Sequence, residues 1–206
     1  GRGKREKFCS YSPFPLQGEA NNPFFLVREE INMPFRILSL DGGGIRGVIS
    51  TVILSEVEKM VGAPLNKYFD LIAGTSTGSI LAAAIAKGLS SEKILQLYRN
   101  KGKRIFPYSN LYSLERLKVI AQYGLSAPKF SSRGLIEVLQ EELGETKLSE
   151  IGKSPRLLIT AYETIERQFL VFKSWRRFDP WANIPIWEAC VCSSSAPTFF
   201  PAHKLT

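Results

Sequence analysis

Histidine occurs once in this 206-residue chain, at His203, and aspartate three times, at Asp41, Asp70 and Asp179. Any chemistry that needs an imidazole or an aspartate base therefore has very few candidates. Cysteine is equally sparse. Cys9, Cys190 and Cys192 are an odd set that suggests no disulfide framework, and they lack the Cys/His partners of a zinc site. A reducing, cytoplasmic setting is the simpler reading. Long apolar runs are missing too. Spanning a bilayer takes about 20 apolar residues, and the longest candidate, residues 71–86, is interrupted by Gly, Thr and Ser in its first third. Residues 1–7 carry charges with no apolar stretch after them, so nothing there reads as a signal peptide. Acidic residues are outnumbered, 19 against 27 Lys and Arg, for a net charge of +8. That balance favours anionic partners: a membrane surface, phospholipid headgroups or nucleic acid. Lys101, Lys103 and Arg104, followed by Ile105, Phe106, Tyr108, Leu111 and Tyr112, suit an anionic membrane interface, although a packed core edge accounts for the same aromatics.

What is present has the length and composition of one well-buried domain. Residues 1–33, with Pro13, Pro15 and Pro23 and no clear period, read as an N-terminal arm or leader. Residues 35–40 read as a buried strand. Residues 45–61 place Ile45, Val48, Ile49, Val52, Ile53, Val57 and Met60 at helical spacing, with Gly62 as a C-cap. Residues 68–73 form a second strand in this reading, and residues 79–87 an alanine-rich helix stopped near Gly88. Ser90, Ser91 and Glu92 cap a third helix through about Arg99. Weaker helices fall at 113–123 and 132–143. Strands at 156–162 and 168–173 are joined by a hairpin-like connection, and residues 187–194 make a short buried helix. Strands alternating with helices imply a layered α/β domain with a mostly parallel sheet.

Two glycine-rich turns sit between these strands and helices. In Gly74-Thr75-Ser76-Thr77-Gly78, a G-x-S-x-G turn would lift the Ser76 hydroxyl out of the backbone as a nucleophile. Gly74 and Gly78 would let strand and helix close on each other, and the N–H of Thr77 is a usual oxyanion donor in such elbows. The plainer alternative is a small-residue turn that packs helix on strand. The other turn, Asp41-Gly42-Gly43-Gly44-Ile45-Arg46-Gly47, has two readings. As G-x-G-x-x-G it is a dinucleotide fingerprint, but that expects a second strand ending in an acidic residue about 20 positions on. Here that region is still helix, and Asp70 precedes the second strand's apolar body. As consecutive glycine N–H groups beside Arg46 it is an anion cradle. A nucleophile beside an oxyanion site is the minimum kit for acyl transfer.

The pair DGGGIRG and GTSTG resembles the patatin-like phospholipase family. Ser193-Ser194-Ser195-Ala196-Pro197 with Phe199-Phe200-Pro201 is similar to that family's SSAAP-x-x-F stretch, so the likeness runs from about Phe35 to the C-terminus. The resemblance implies a three-layer α/β/α fold and a serine–aspartate dyad acting on acyl esters of phospholipids or other lipids. It assigns Ser76 as nucleophile and Gly42, Gly43 and Gly44 as the oxyanion hole, with Arg46 nearby. It implies no cofactor, no metal and no nucleic acid, and it allows a peripheral membrane surface as partner. The family's aspartate lies in a DG[GA] motif downstream of SSAAP, and residues 1–206 contain no such motif there. The expectation is a chain cut short of its base and inactive as it stands. Residues 18–23 (GEANNP) resemble the end of the family's DGG-x-x-ANNP segment, with Pro15 where the aspartate would fall. Two alternatives remain: a local triad of Ser76, Asp179 and His203 in α/β-hydrolase order, or a non-catalytic lipid-binding or regulatory module on the same fold.

Overall fold

A computed structural model describes residues 34–106 and 128–205. The expected helix at 113–123 lies outside them. Four strands form one sheet in the order β1 (Ile37–Leu40), β2 (Leu71–Thr75), β3 (Arg156–Glu163), β4 (Gln168–Lys173). β1, β2 and β3 run parallel, and β4 returns antiparallel from β3 as the sequence's hairpin-like connection implied. The register puts Leu40, Gly74, Ile159 and Phe172 in one row across all four strands. That row belongs to the buried face, where Ile72, Leu157, Ile159 and Phe172 have no exposed surface. On the opposite face Ile37, Tyr162 and Phe169 are exposed, as the period of two along a strand requires.

The helices are α1 (Gly47–Val61), α2 (Leu65–Tyr68), α3 (Thr77–Ala86), α4 (Ser91–Ile105), α5 (Arg133–Leu143) and α6 (Ile186–Ser194). α3 lies against β1, β2 and β3, with α1, α4, α5 and α6 packed around it. Every residue of α3 is buried, which is why its sequence is small and apolar on all sides and shows no amphipathic stripe. Gly62 caps α1 in the left-handed conformation at φ 68°, donating to the carbonyls of Glu58 and Lys59. The Glu58 carboxylate accepts from the Leu65 N–H (3.3 Å) and the Ser91 N–H (2.8 Å), so one side chain caps the starts of both α2 and α4.

Several boundaries depart from the sequence reading, among them β1, which begins at Ile37 instead of 35, and α1, which begins at Gly47 instead of 45; three have a contact that sets them. The second strand covers Leu71–Thr75 instead of 68–73. Pro64 starts a helical turn that ends at Tyr68, and pairing with β1 and β3 carries the strand on through Gly74 and Thr75. α3 begins at Thr77, two residues early, because Ser79 and Ile80 donate to the Ser76 carbonyl as the first helical bonds. α4 runs six residues past Arg99, to Ile105. Its extra turns are held by α5: Lys101 bonds Glu141 and Glu142 (2.7 and 2.6 Å), Arg104 grips both oxygens of Glu141 (2.9 and 3.2 Å), and Gly102 and Ile105 are buried. The cluster that suggested a membrane interface therefore has two of its three cations turned onto acidic side chains of a neighbouring helix.

Those bonds have a pH consequence. Arg104 first, then Lys101, hold the Glu141 carboxyl well below its ordinary range, down to about 2. A carboxyl whose folded pKa is depressed binds protons more readily when unfolded, so it contributes stability above about pH 4.3 and loses it as pH falls toward 2. The side chains are exposed and screened, so the effect is small. Wild-type protein is expected to have a higher urea midpoint than Glu141→Gln at pH 6, with the gap narrowing as pH falls to about 2.5. A gap of constant size across that range would show that the pair is not ionically coupled.

Candidate active site

Ser76 sits at the turn between β2 and α3 with φ 53° and ψ −124°. A non-glycine residue at positive φ is strained and persists only where its surroundings hold it. Here they do. The Ser76 N–H donates to Ser193 Oγ (2.7 Å), and its carbonyl accepts from the Ser79 N–H (2.9 Å) and Ser79 hydroxyl (2.6 Å). The flanking glycines are required by close approach. A Cβ on Gly74 would run into the Gly78 carbonyl, and one on Gly78 into the Leu40 and Asp41 carbonyls. This lets the end of β1 and the start of α3 touch, which brings the loop after β1 beside Ser76.

That loop is Gly42–Gly44, leading through a 3-10 turn (Gly44–Arg46) into α1. A Cβ on Gly42 would lie 3.0 Å from Ser76 Cβ and 3.7 Å from its Oγ, so only glycine leaves the serine side chain its room. Gly44 needs its own glycine conformation, at φ 59°. The Thr77 hydroxyl donates to the Gly44 carbonyl (3.0 Å) and pins the loop against the elbow. Among the described residues, the N–H groups of Gly42, Gly43 and Gly44 donate to no other protein group. They lie next to the first N–H groups of α3, which also lack intrahelical partners and carry the positive end of the helix dipole. Arg46 folds back, its Nε donating to the Gly43 carbonyl (3.4 Å) while the side chain stays exposed. The arrangement can hold an anion close to a serine hydroxyl.

A cavity of about 690 Å³ opens over this floor. Gly42–Arg46 and Ser76 line it. An aromatic wall of Phe106, Phe130, Phe199 and Phe200 also lines it, with Lys129, Ser194 and Ala196. Two backbone bonds hold that wall together, Lys129 N–H to the Thr198 carbonyl and Phe130 N–H to the Phe199 carbonyl, both 2.7 Å. The Phe130 ring lies 5.6 Å from Phe200 and 6.4 Å from Phe199, and Phe106 lies 6.2 Å from Phe200. The lining thus combines a polar floor at the serine with an aromatic cluster, as suits a ligand with an acyl tail and a polar junction.

All the residues expected at the site converge: Ser76 and Thr77, Gly74 and Gly78, Gly42–Gly44, and Arg46. The local triad does not. The His203 imidazole bonds the Glu188 carboxylate (3.0 Å), half-buried beneath α6, and neither His203 nor Asp179 lines the cavity. Asp70 bonds the Arg36 N–H (2.8 Å) at the foot of the sheet, away from the glycine turns. Cys190 is buried, its thiol pushed up to about 12 by burial, and donates to the Ser79 carbonyl (3.4 Å). No three His, Cys, Asp or Glu side chains among the described residues converge on a point that could hold a metal ion. Sequence reasoning missed Phe130, which sits in Lys-Phe-Ser-Ser without any period, and it gave no role to Ser193.

A strained serine on a strand–helix elbow, beside a glycine cradle in a cavity with an aromatic wall, defines an α/β protein of the serine-elbow class. The chain belongs to the patatin-like phospholipase family, whose family model matches residues 38–206. It is similar to Patatin-like protein 1 of Arabidopsis thaliana, 35% identical over 183 residues that cover 81% of this chain and 43% of the relative. Patatin-like protein 2 of Oryza sativa subsp. japonica is 31% identical over 181 residues, covering 81% and 44%. Patatin of Solanum tuberosum is 30% identical over 182 residues, covering 81% and 43%. The chain therefore spans less than half the length of these relatives. Among solved structures, the heterodimeric ExoU–SpcU complex of the Pseudomonas aeruginosa type III secretion system contains a chain with the same fold, at TM-score 0.50 and 19% identity, covering 80% of this chain and 36% of that one. No helix among the described residues is long and apolar enough to cross a membrane.

Proposed function

We propose that this domain carries the nucleophile and oxyanion hole of a lipid acyl hydrolase acting on phospholipids or related acyl esters. One observation carries the reading: Ser76 is held at φ 53° with Gly42 against its side chain and with glycine N–H groups that bond no other described residue. Ser76 Oγ attacks the ester carbonyl, and the carbonyl oxygen becomes an anion held by the N–H groups of Gly42, Gly43, Gly44 and Thr77, with Arg46 adding positive charge. The tetrahedral intermediate collapses, the alcohol leaves with a proton, and an acyl-serine remains. Water then adds to the acyl carbon, and the fatty acid departs as Ser76 regains its proton. The aromatic wall holds the acyl chain. The general base in this proposal is an aspartate from outside residues 1–206, because none of Asp41, Asp70 and Asp179 lines the cavity. The positive balance of the chain supports supply of substrate from an anionic, peripheral membrane surface.

The same shortage of a base favours a second reading, a lipid-binding or regulatory module with no turnover. A fluorophosphonate separates the two. The intact protein is expected to be labelled at Ser76 to one group per chain, located by peptide mass spectrometry. Folded protein that binds anionic liposomes and takes up no label at Ser76 would leave the binding module as the function.

A further inference from the structure

The serine-rich segment at the end of α6 drew attention in the sequence only as a likeness, and the acyl-transfer steps above make no use of it. Its three hydroxyls do different things. Ser195 Oγ donates to the Val191 carbonyl (2.8 Å), an ordinary back-bond within its own helix end. Ser194 Oγ is buried with no partner among the described residues. Ser193 Oγ alone reaches across the chain, accepting the Ser76 N–H at 2.7 Å over a separation of 117 residues.

We infer that Ser193 is a positioning residue for the nucleophile: its hydroxyl oxygen fixes the Thr75–Ser76 peptide plane and so holds Ser76 at the positive φ that aims Oγ into the cavity. The inference rests on the reading of Ser76 as nucleophile. The orientation of that peptide plane sets φ of Ser76, and φ sets where Cβ and Oγ point. The carbonyl side of Ser76 is already secured by three donors, Ser79 N–H, Ser79 Oγ and Ile80 N–H (2.9, 2.6 and 3.4 Å). On the N–H side Ser193 is the partner. Removing it leaves a half-buried donor unsatisfied and removes the restraint that opposes relaxation toward negative φ. The bond also occupies the Ser76 N–H, which keeps that group out of the oxyanion hole and leaves the hole to the glycines and Thr77. Cys190, one turn earlier on α6, touches the Ser79 carbonyl, so the same helix supports the elbow on both sides of the serine.

The test compares Ser193→Ala, Ser193→Thr and Ser195→Ala in the intact protein, by the second-order rate of fluorophosphonate labelling at Ser76 and by Tm. Misplacing a nucleophile by about 1 Å costs on the order of a hundredfold in rate. Ser193→Ala is expected to label about ten- to a hundredfold more slowly than wild type. Ser193→Thr, which keeps the acceptor oxygen, is expected to return to within about threefold. Ser195→Ala is expected to label at the wild-type rate even if its Tm falls as far as that of Ser193→Ala. Equal labelling rates for wild type and Ser193→Ala would overturn the inference, as would a loss in Ser193→Ala that Ser195→Ala reproduces. If Ser193→Ala does not fold, the threonine variant decides: a folded Ser193→Thr protein that labels as slowly as Ser193→Cys, whose sulfur is a weak acceptor, overturns it as well. Wild-type protein that takes no label at Ser76 is a different outcome, because it removes the nucleophile reading itself.

Discussion

Replacing Ser76 by alanine is expected to lower ester hydrolysis by the intact protein about 10⁵- to 10⁶-fold while leaving the fold in place. The size follows from the role. Loss of a serine nucleophile that acts as one unit with its base and oxyanion hole costs about as much as loss of the whole set. What is left is catalysis by the cradle alone. The preserved fold follows from the bonding. The contacts that hold residue 76 run through its backbone, to Ser193 Oγ on one side and to Ser79 and Ile80 on the other, and alanine keeps all of them. Hydrolysis of a phospholipid in mixed micelles, followed beside a chromogenic fatty-acid ester, measures the effect. Undiminished turnover by a folded Ser76→Ala protein would retire Ser76 as nucleophile on both substrates at once.

Adding a single methyl group at Gly78 is expected to be almost as damaging by a different route. The new Cβ would overlap the Leu40 and Asp41 carbonyls, which are main-chain atoms at the end of β1 and cannot swing aside as a side-chain tip can. To make room, α3 must move off the sheet, and with it go the elbow and the contact between Gly42 and Ser76. Overpacking of this kind costs about 3 kcal/mol or more. For a domain of this size that is a Tm lower by roughly 6–12 °C, with labelling at Ser76 lost. Gly62→Ala is the comparison: open space surrounds that position and only the left-handed backbone is penalised, by about 1–2 kcal/mol. A Gly78→Ala protein with wild-type Tm and labelling would show that β1 and α3 do not approach as described.

Much of this was readable in the chain because the signals were local. A strand, a G-x-S-x-G turn and a run of small apolar residues specify the elbow without help from elsewhere, and the triple glycine reads as a cradle from its own N–H groups. Residues 156–162 and 168–173 were legible as a hairpin for the same reason. Where the reading slipped, the deciding contact came from a distant segment. α4 continues to Ile105 because Glu141 and Glu142, some 40 residues later, receive Lys101 and Arg104. Those cations looked free for a membrane when only their neighbours were in view. The triad of Ser76, Asp179 and His203 was plausible by order alone, yet His203 is bonded to Glu188, a carboxylate the spacing argument never considered. Phe130 joins the aromatic wall through strap-like backbone bonds to 198–199 that no local periodicity announces.

The bond between Ser76 and Ser193 also sets an order in time. A ribosome adding 5–20 residues per second needs roughly 6–23 s to travel the 117 residues between them. Throughout that interval the elbow can form its turn and its first helical bonds, but the peptide before the serine has no partner from α6. The segment that secures Ser76 is therefore among the last of the described residues to be made. In the proposed hydrolase the Ser76 hydroxyl would stay loosely held until α6 is made, and tighten only once most of residues 34–205 exist to enclose it.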